Sequence, residues 1–392
     1  MAGATAERGE ASRAVAVWLL LCCAMIFAMV VIGGVTRLTW SGLSITEWRP
    51  VSGIVPPLSA GDWQAEFAKY QQTTQYKLLN AGMSLAQFKT IYLWEYVHRL
   101  WGRLIGFVYA LPFLYFLLRG RIPRRLAGPL AGIFALGFAQ GALGWYMVES
   151  GLADRIEVSQ YRLTAHLALA LVIYAATLWT ALGLLDQEHS LSAPGGGKAP
   201  GEAGDTSAHA HLTRPSLSRR APPDQVRGKL SRPNGRRGKL LRRLTEAVLC
   251  LVGLTIVAGG FVAGLNAGLT YNTFPLMDGS FVPAGYGQLS PFVRNWFENV
   301  AAVQFDHRLL AETTVASVIA LWLWGRRFAL PRPPRLALHA LLAIALLQLS
   351  LGISTLLLVV PIPLAAAHQA GAVFLLTAAI LLRHRLRPEG AR

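Results

Sequence analysis

Nine histidines occur in this 392-residue chain, and four of them keep matched company. His98 and His307 are each followed by Arg-Leu, while His166 and His368 are each preceded by Ala. Small residues follow at helical spacing: Gly102 and Gly106 after His98, Ala170 after His166, Ala311 after His307 and Ala372 after His368. In a helix these positions share a face with the imidazole, so each ring has a flat surface beside it. Neutral imidazole is a common ligand for transition metals. Two imidazoles at one level of a helical bundle can ligate one iron from opposite sides. That chemistry requires elements that hold the rings level.

The elements are apolar segments of membrane length. Ala14–Thr36 carries no charge over 23 residues. Comparable stretches recur at Val97–Leu118, Leu126–Val148, Leu163–Leu185, Ala247–Leu265, Ala302–Trp324, Leu336–Val360 and Leu364–Leu382. A bilayer core of about 30 Å takes about 20 helical residues, so the expectation is an all-α membrane protein with eight transmembrane helices. With 53% hydrophobic and 15% charged residues, the chain has too few charges to cover a soluble protein of this size.

The net charge of +17 would suit a nucleic-acid partner, but its placement argues for orientation instead. Lys and Arg concentrate in alternate connections: Arg119, Arg121, Arg124 and Arg125; twelve residues between spans four and five; Arg326, Arg327, Arg332 and Arg335; and Arg383, Arg385 and Arg387. That is the positive-inside pattern. It places residues 1–13 and the tail 384–392 in the cytoplasm. The first span is too long for a secretory signal, and no Arg-rich transit segment precedes it; a bacterial inner membrane is expected. Cys22, Cys23 and Cys250 all fall inside spans, so neither an exported disulfide nor a thioether haem link is available.

The chain is internally duplicated. Val31–Pro57 aligns without gaps on Val257–Pro283, sharing Gly-Gly, Gly-Leu and the closing Pro. Gln140-Gly-Ala-Leu-Gly144 matches Gln348-Leu-Ser-Leu-Gly352, and the histidines match in turn. Each half is then a four-helix unit, 14–185 and 244–383, the two in tandem and related by a pseudo-twofold along the membrane normal. Between them, 186–243 is rich in Gly, Pro, Ser and Arg and reads as a disordered basic cytoplasmic linker. Its His189, His209 and His211 lack ligand spacing. His339 and His384, at cytoplasmic helix ends, have no repeated partner.

Each half therefore presents one pair, His98 with His166 and His307 with His368, near the external face. The simpler reading makes them interhelical polar contacts; four at repeated positions favour two bis-histidine haem sites. The halves also differ. Glu95, one turn before His98, corresponds to Gln304, and the first external loop, 37–92, is 17 residues longer, because the repeat offset falls from 226 at Gly-Gly to 209 at the histidine. An acid and a larger cover on one side suggest chemistry in the N-terminal half and a resident cofactor in the other. For Glu95 a solvated or Arg-paired carboxylate at the interface is the alternative.

Glu95-Tyr-Val-His-Arg-Leu-Trp-Gly-Arg-Leu-Ile-Gly106, Gln304-Phe-Asp-His-Arg-Leu-Leu-Ala311, Gly33–Thr39 and Asn272–Met277 together resemble the haem A synthase family, over roughly Val15–Arg383 apart from the linker. The resemblance implies oxidation of the C8 methyl of haem O to the formyl of haem A, for haem-copper terminal oxidases. It implies haem b held by His307 and His368, substrate haem O between His98 and His166, Glu95 beside the reacting methyl, and contact with the haem O synthase that supplies the substrate. The external-loop cysteine pair of Gram-positive members is absent, which resembles the proteobacterial and mitochondrial branch. Glu95→Gln is expected to keep bound haem and lose conversion.

Arg99 and Arg308, each next to a ligand, suit haem propionates or headgroup snorkelling. Arg103 and Glu312, each five residues past a ligand, are expected to meet across the pseudo-twofold. Two other function classes use the same ligands: a di-haem b-type electron-transfer cytochrome and a haem transporter.

Overall fold

Apolar periodicity with few breakers leads to helices, and a computed structural model of the chain, describing residues 2–49, 52–154, 156–192 and 235–387, is helical. Among these residues the only extended pairing is an isolated bridge between Met277 and Ser280. The helices are α1 (Ala2–Leu38), α2 (Ala60–Tyr70), α3 (Thr74–Leu79), α4 (Leu85–Leu118), α5 (Arg124–Asp154), α6 (Gln160–Ser192), α7 (Gly235–Gly264), α8 (Asn295–Glu298), α9 (Val300–Gly325), α10 (Arg332–Leu357) and α11 (Ile362–Arg385). Seven are long and apolar enough to cross a membrane: α1, α4, α5, α6, α7, α10 and α11. α9 has 26 residues, but its first half carries Asp306, Arg308 and Glu312.

Three boundaries differ from the sequence reading. α1 begins at Ala2 and not at Ala14. α4 begins at Leu85 and not at Val97, so His98 lies well inside a helix instead of near its start. The reason is local. Ser84 and Gln87 form a reciprocal capping box that starts the helix early, and the added turns bury Phe88 and Tyr92 against Ile45, Tyr70, Trp63 and Phe67 of the external segment. The linker is the third case: α6 continues to Ser192 and α7 starts at Gly235, where Gly238, Leu241 and Thr245 are buried. Residues 193–234, with His209 and His211, and the side chain of His189 lie outside the described part.

The segment between α1 and α4 is a cap. α2 is started by a Ser59–Asp62 capping box, and Lys69 bonds Glu47 and Glu66, each at 2.9 Å. The Lys69 ammonium holds the Glu47 carboxyl below the usual carboxylate range.

Equivalent helices make equivalent contacts. α1 packs on α4 and α6 as α7 packs on α9 and α11, and α5 packs on α4 and α6 as α10 packs on α9 and α11. The two sets meet through α1 with α11, α6 with α7 and α6 with α11. Lipid is as apolar as Leu, so burying Leu19, Leu130 or Leu341 between helices gains packing and little hydrophobic free energy. Polar contacts specify the arrangement. At the C-terminal end of α1, Arg37 bonds Glu157 at 2.5 Å and Asn266, past α7, at 2.9 Å; Asn266 Nδ2 donates back to Glu157 at 2.9 Å. Midway, the Tyr174 and Thr377 hydroxyls lie 2.7 Å apart. At the opposite end Arg385 of α11 bonds Asp186 at 2.8 Å.

Removing one member of a buried ion pair leaves an uncompensated charge. Glu157→Ala, which strands Arg37, is expected to cost about 3 kcal/mol and to lower the melting temperature of the detergent-solubilised protein by several degrees. An unchanged melt would show that the triad does not hold the halves together.

Candidate functional site

His98 of α4 and His166 of α6 lie within electrostatic reach of each other, and so do His307 of α9 and His368 of α11. The structure brings together the two pairs that the repeat predicts. Each ring is seated on a glycine. A Cβ placed on Gly33 would lie 3.1 Å from Cε1 of His98, on Gly144 2.9 Å from that of His166, on Gly259 3.0 Å from that of His307, and on Gly352 2.8 Å from that of His368. Gly33 and Gly259 are the first residues of the repeated Gly-Gly, and Gly144 and Gly352 close the repeated Gln-x-x-x-Gly. The duplicated glycines are thus the ones that touch the imidazoles.

The glutamine of that second motif, one turn earlier on the same face, holds the backbone of the histidine it serves. Gln140 Nε2 donates to the His166 carbonyl at 3.0 Å, and Gln348 Nε2 to the His368 carbonyl at 2.9 Å. Sequence analysis used these glutamines only to align the repeats; their shared spacing to the glycine was the available signal.

The ring nitrogens are not equivalent. Nδ1 of His98, His166 and His368 is sealed in the packing, while none of the four Nε2 atoms is. His307 Nδ1 lies 3.2 Å from the Thr255 carbonyl oxygen. Only the Nδ1–H tautomer satisfies that contact, and it leaves the Nε2 lone pair available. A Cβ on Gly106 would meet nothing within 4 Å, and one on Gly102 only Met29 Cε at 3.4 Å. An open, side-chain-free strip beside an outward Nε2 fits a planar macrocycle. Among the described residues no three His, Cys, Asp or Glu side chains gather into a metal site. Two imidazoles are a donor set that would suit the iron of a haem. Cys22 and Cys23 are buried and Cys250 exposed; all are free thiols.

Glu95 is 3% exposed, and both its oxygens are engaged. Oε2 accepts from Ser44 N at 2.7 Å, Ser44 Oγ at 2.7 Å and Ile45 N at 2.8 Å. Oε1 accepts from Arg99 Nη2 at 2.6 Å and Nε at 3.1 Å. Arg99 also donates to the carbonyls of Ile45 at 3.0 Å and Glu47 at 3.2 Å. The second half repeats the device with reversed polarity. Gln304 Nε2 donates to the carbonyls of Ala267 at 2.9 Å and Tyr271 at 3.2 Å, and Arg308 to those of Tyr271 at 2.6 Å and Thr273 at 2.9 Å. Each pair therefore fastens the external segment that follows the first helix of its half. The difference between Glu95 and Gln304 matches the backbone groups each meets: amide N–H groups in one half, carbonyls in the other. In this arrangement Arg99 and Arg308 face loop carbonyls.

The expected meeting of Arg103 and Glu312 does not occur. α4 and α9 lie away from the surface between the halves, which is made by α1, α6, α7 and α11. Arg103 donates to the Arg49 carbonyl at 2.9 Å, and Glu312 is exposed. The symmetry relates these residues without bringing them together. Arg103 instead lines, with Arg49, Arg99, Lys69, Glu47 and Tyr96, a cavity of about 370 Å³ beneath the cap.

Fold and site together define a multi-pass helical protein carrying two like histidine pairs on glycine seats. A family model described as cytochrome oxidase assembly protein (COX15-CtaA) matches residues 16–380. Heme A synthase of Nitrosospira multiformis is 50% identical over 385 residues, covering 98% of this chain and 97% of the relative. That of Rhodospirillum centenum is 48% identical over 378 residues, 96% and 90% of the two chains. Heme A synthase COX15 of Homo sapiens is 43% identical over 383 residues, 96% and 83%. The chain belongs to this family, that of the haem A synthases.

Proposed function

We propose that this protein is an oxidoreductase that converts haem O to haem A, oxidising the C8 methyl to a formyl group for haem-copper terminal oxidases. Full-length similarity to bacterial and mitochondrial haem A synthases supports the activity. The observation that carries it to particular residues is the twofold occurrence of an imidazole pair on glycine seats, with the acid in one half only.

In this reading α9 is the eighth span, and α1, α4, α5 and α6 form one bundle while α7, α9, α10 and α11 form the other. The domain limits follow as 14–185 and 244–383, with a bacterial inner membrane as the location and both termini on the basic, cytoplasmic side. His307 and His368 hold haem b through Nε2, with the His307 tautomer set by Thr255. His98 and His166 hold the substrate haem O. Haem b would supply a one-electron couple inside the same protein. The overall change, methyl plus water to formyl with release of four protons and four electrons, would balance through four successive one-electron transfers by way of that couple to an external electron acceptor.

The chain's own groups do the rest. Glu95, fastened by five donors, is a fixed anion near the His98 ligand and favours positive charge developing at the methyl carbon. Covalent trapping or proton uptake by Glu95 would first require breaking that set. A farnesylated substrate partitions into lipid, so direct transfer from the haem O synthase is the delivery route that this reading favours.

Expression in a host that makes haem O but no haem A, followed by extraction and chromatographic separation of the non-covalent haems with mass detection, tests the proposal. Haem A or its hydroxymethyl precursor is expected. Haem b alone, with reversible redox spectra, would move the assignment to a di-haem b-type electron-transfer cytochrome.

A further inference from the structure

The first glycine of each Gly-Gly touches the histidine of its own half, and the second touches the other half. A Cβ on Gly34 would fall inside the carboxamide of Gln369 on α11, the residue next to His368. Gln369 Nε2 donates to the Val30 carbonyl of α1 at 2.9 Å. A Cβ on Gly260 would lie 3.0 Å from Oγ1 and 3.2 Å from Cγ2 of Thr164 on α6, two residues before His166. Thr164 is 4% exposed, and its hydroxyl is sealed without a hydrogen-bond partner, so packing alone places it there.

Adjacent residues on a helix point about 100° apart, so two successive glycines open two faces of the same turn. On α1 one face receives His98 and the other Gln369; on α7 one face receives His307 and the other Thr164. The contacts close into a ring. His98 rests on Gly33, whose neighbour Gly34 receives Gln369 beside His368; His368 lies within electrostatic reach of His307. His307 rests on Gly259, whose neighbour Gly260 receives Thr164 near His166; His166 lies within electrostatic reach of His98.

We infer that Gln369 and Thr164 are positioning residues for His368 and His166, each set by the opposite half through Gly34 and Gly260, so that the geometry of one histidine pair is read at the other. The inference rests on the ligand assignment proposed above. It gives the two halves a reason to remain fused: loading of the substrate pair alters the ligand field and reduction equilibrium of the resident haem. Dense packing transmits small displacements of this kind because the interior has no slack to absorb them.

The test is a double-mutant cycle read on haem b in the purified full-length protein, by redox titration and low-temperature electron paramagnetic resonance. Gly34→Ala must expel the Gln369 carboxamide and break its bond to Val30. It lies in the N-terminal half, yet it is expected to change the reduction equilibrium of the haem on His307 and His368 by at least threefold, about 28 mV for a one-electron couple, with a shift in the resonance signature. Gln369→Ala removes the obstructing group without a clash and is expected to move the same potential. Adding Gly34→Ala to it should change nothing further.

A wild-type potential and signature in Gln369→Ala, or a further change when Gly34→Ala is added to Gln369→Ala, would overturn the inference, and both remain measurable if Gly34→Ala alone does not accumulate. His368→Ala is the control for the underlying assignment. If it retains haem b unchanged, the ligand assignment fails; if it loses haem b while the cycle shows no coupling, only the inference fails.

Discussion

Gly352→Ala is expected to yield a protein that inserts and folds but carries less than a tenth of the wild-type haem b. The added Cβ would lie 2.8 Å from Cε1 of His368, 3.4 Å from Nδ1 and 3.5 Å from Nε2, and the first of these separations is shorter than two carbons tolerate. The ring cannot yield freely. Its backbone carbonyl is held by Gln348, and its helix is packed against α1, α6, α7 and α10. Several tenths of an ångström of imidazole displacement then appear as a misdirected Nε2. A tenfold loss of occupancy corresponds to only about 1.4 kcal/mol, less than a core clash ordinarily costs.

Gly144→Ala repeats the experiment in the other half, with the Cβ 2.9 Å from Cε1 of His166. There haem b should stay and haem O binding and conversion should go. Gly137→Ala on the same helix, where a Cβ meets nothing within 4 Å, is the control, and alanine there favours the helix by up to about 1 kcal/mol. Pigment extraction from the purified variants decides between outcomes. Wild-type haem b in Gly352→Ala would mean that the glycine is not the seat of a ligand.

The glycines show where sequence reading worked and where it stopped. Gly33, Gly144, Gly259 and Gly352 were visible as matched positions because the duplication repeats them, but each lies in a different helix from the histidine it touches. Periodicity relates residues within a helix and says nothing of which helix faces which. For the same reason the stripe Gly102 and Gly106, on the histidine's own helix, was found directly. The capping boxes at Ser59 and Ser84 could have been read from spacing. Hydrophobicity drew attention away from them, since a window tuned to the bilayer discards the polar first turns of α4. Symmetry also misled: it makes Arg103 and Glu312 equivalent, but equivalence across an axis is proximity only for residues near that axis, and α4 and α9 lie outside it.

Glu95 is the largest gap between sequence and structure, because its partners Ser44 and Ile45 are 51 and 50 residues away along the chain. Glu95→Gln is expected to abolish haem A formation while leaving haem b in place. The substitution keeps the shape and replaces one acceptor oxygen by a donor. Whichever way the amide turns, its NH2 meets donors: Ser44 N, Ser44 Oγ and Ile45 N on one side, or Arg99 Nε and Nη2 on the other. Gln304 escapes this conflict in the second half because its amide faces the carbonyls of Ala267 and Tyr271. An unmatched buried donor costs about 1–3 kcal/mol, and Arg99 loses its counter-ion as well. The segment at Ser44 and Ile45 should therefore loosen, seen as at least tenfold faster amide exchange there, along with loss of the fixed negative charge. Haem extraction separates the two consequences. Haem O retained but unconverted assigns the loss to the missing charge, and haem O absent assigns it to the loosened cap. Haem A at the wild-type level would remove Glu95 from the function altogether.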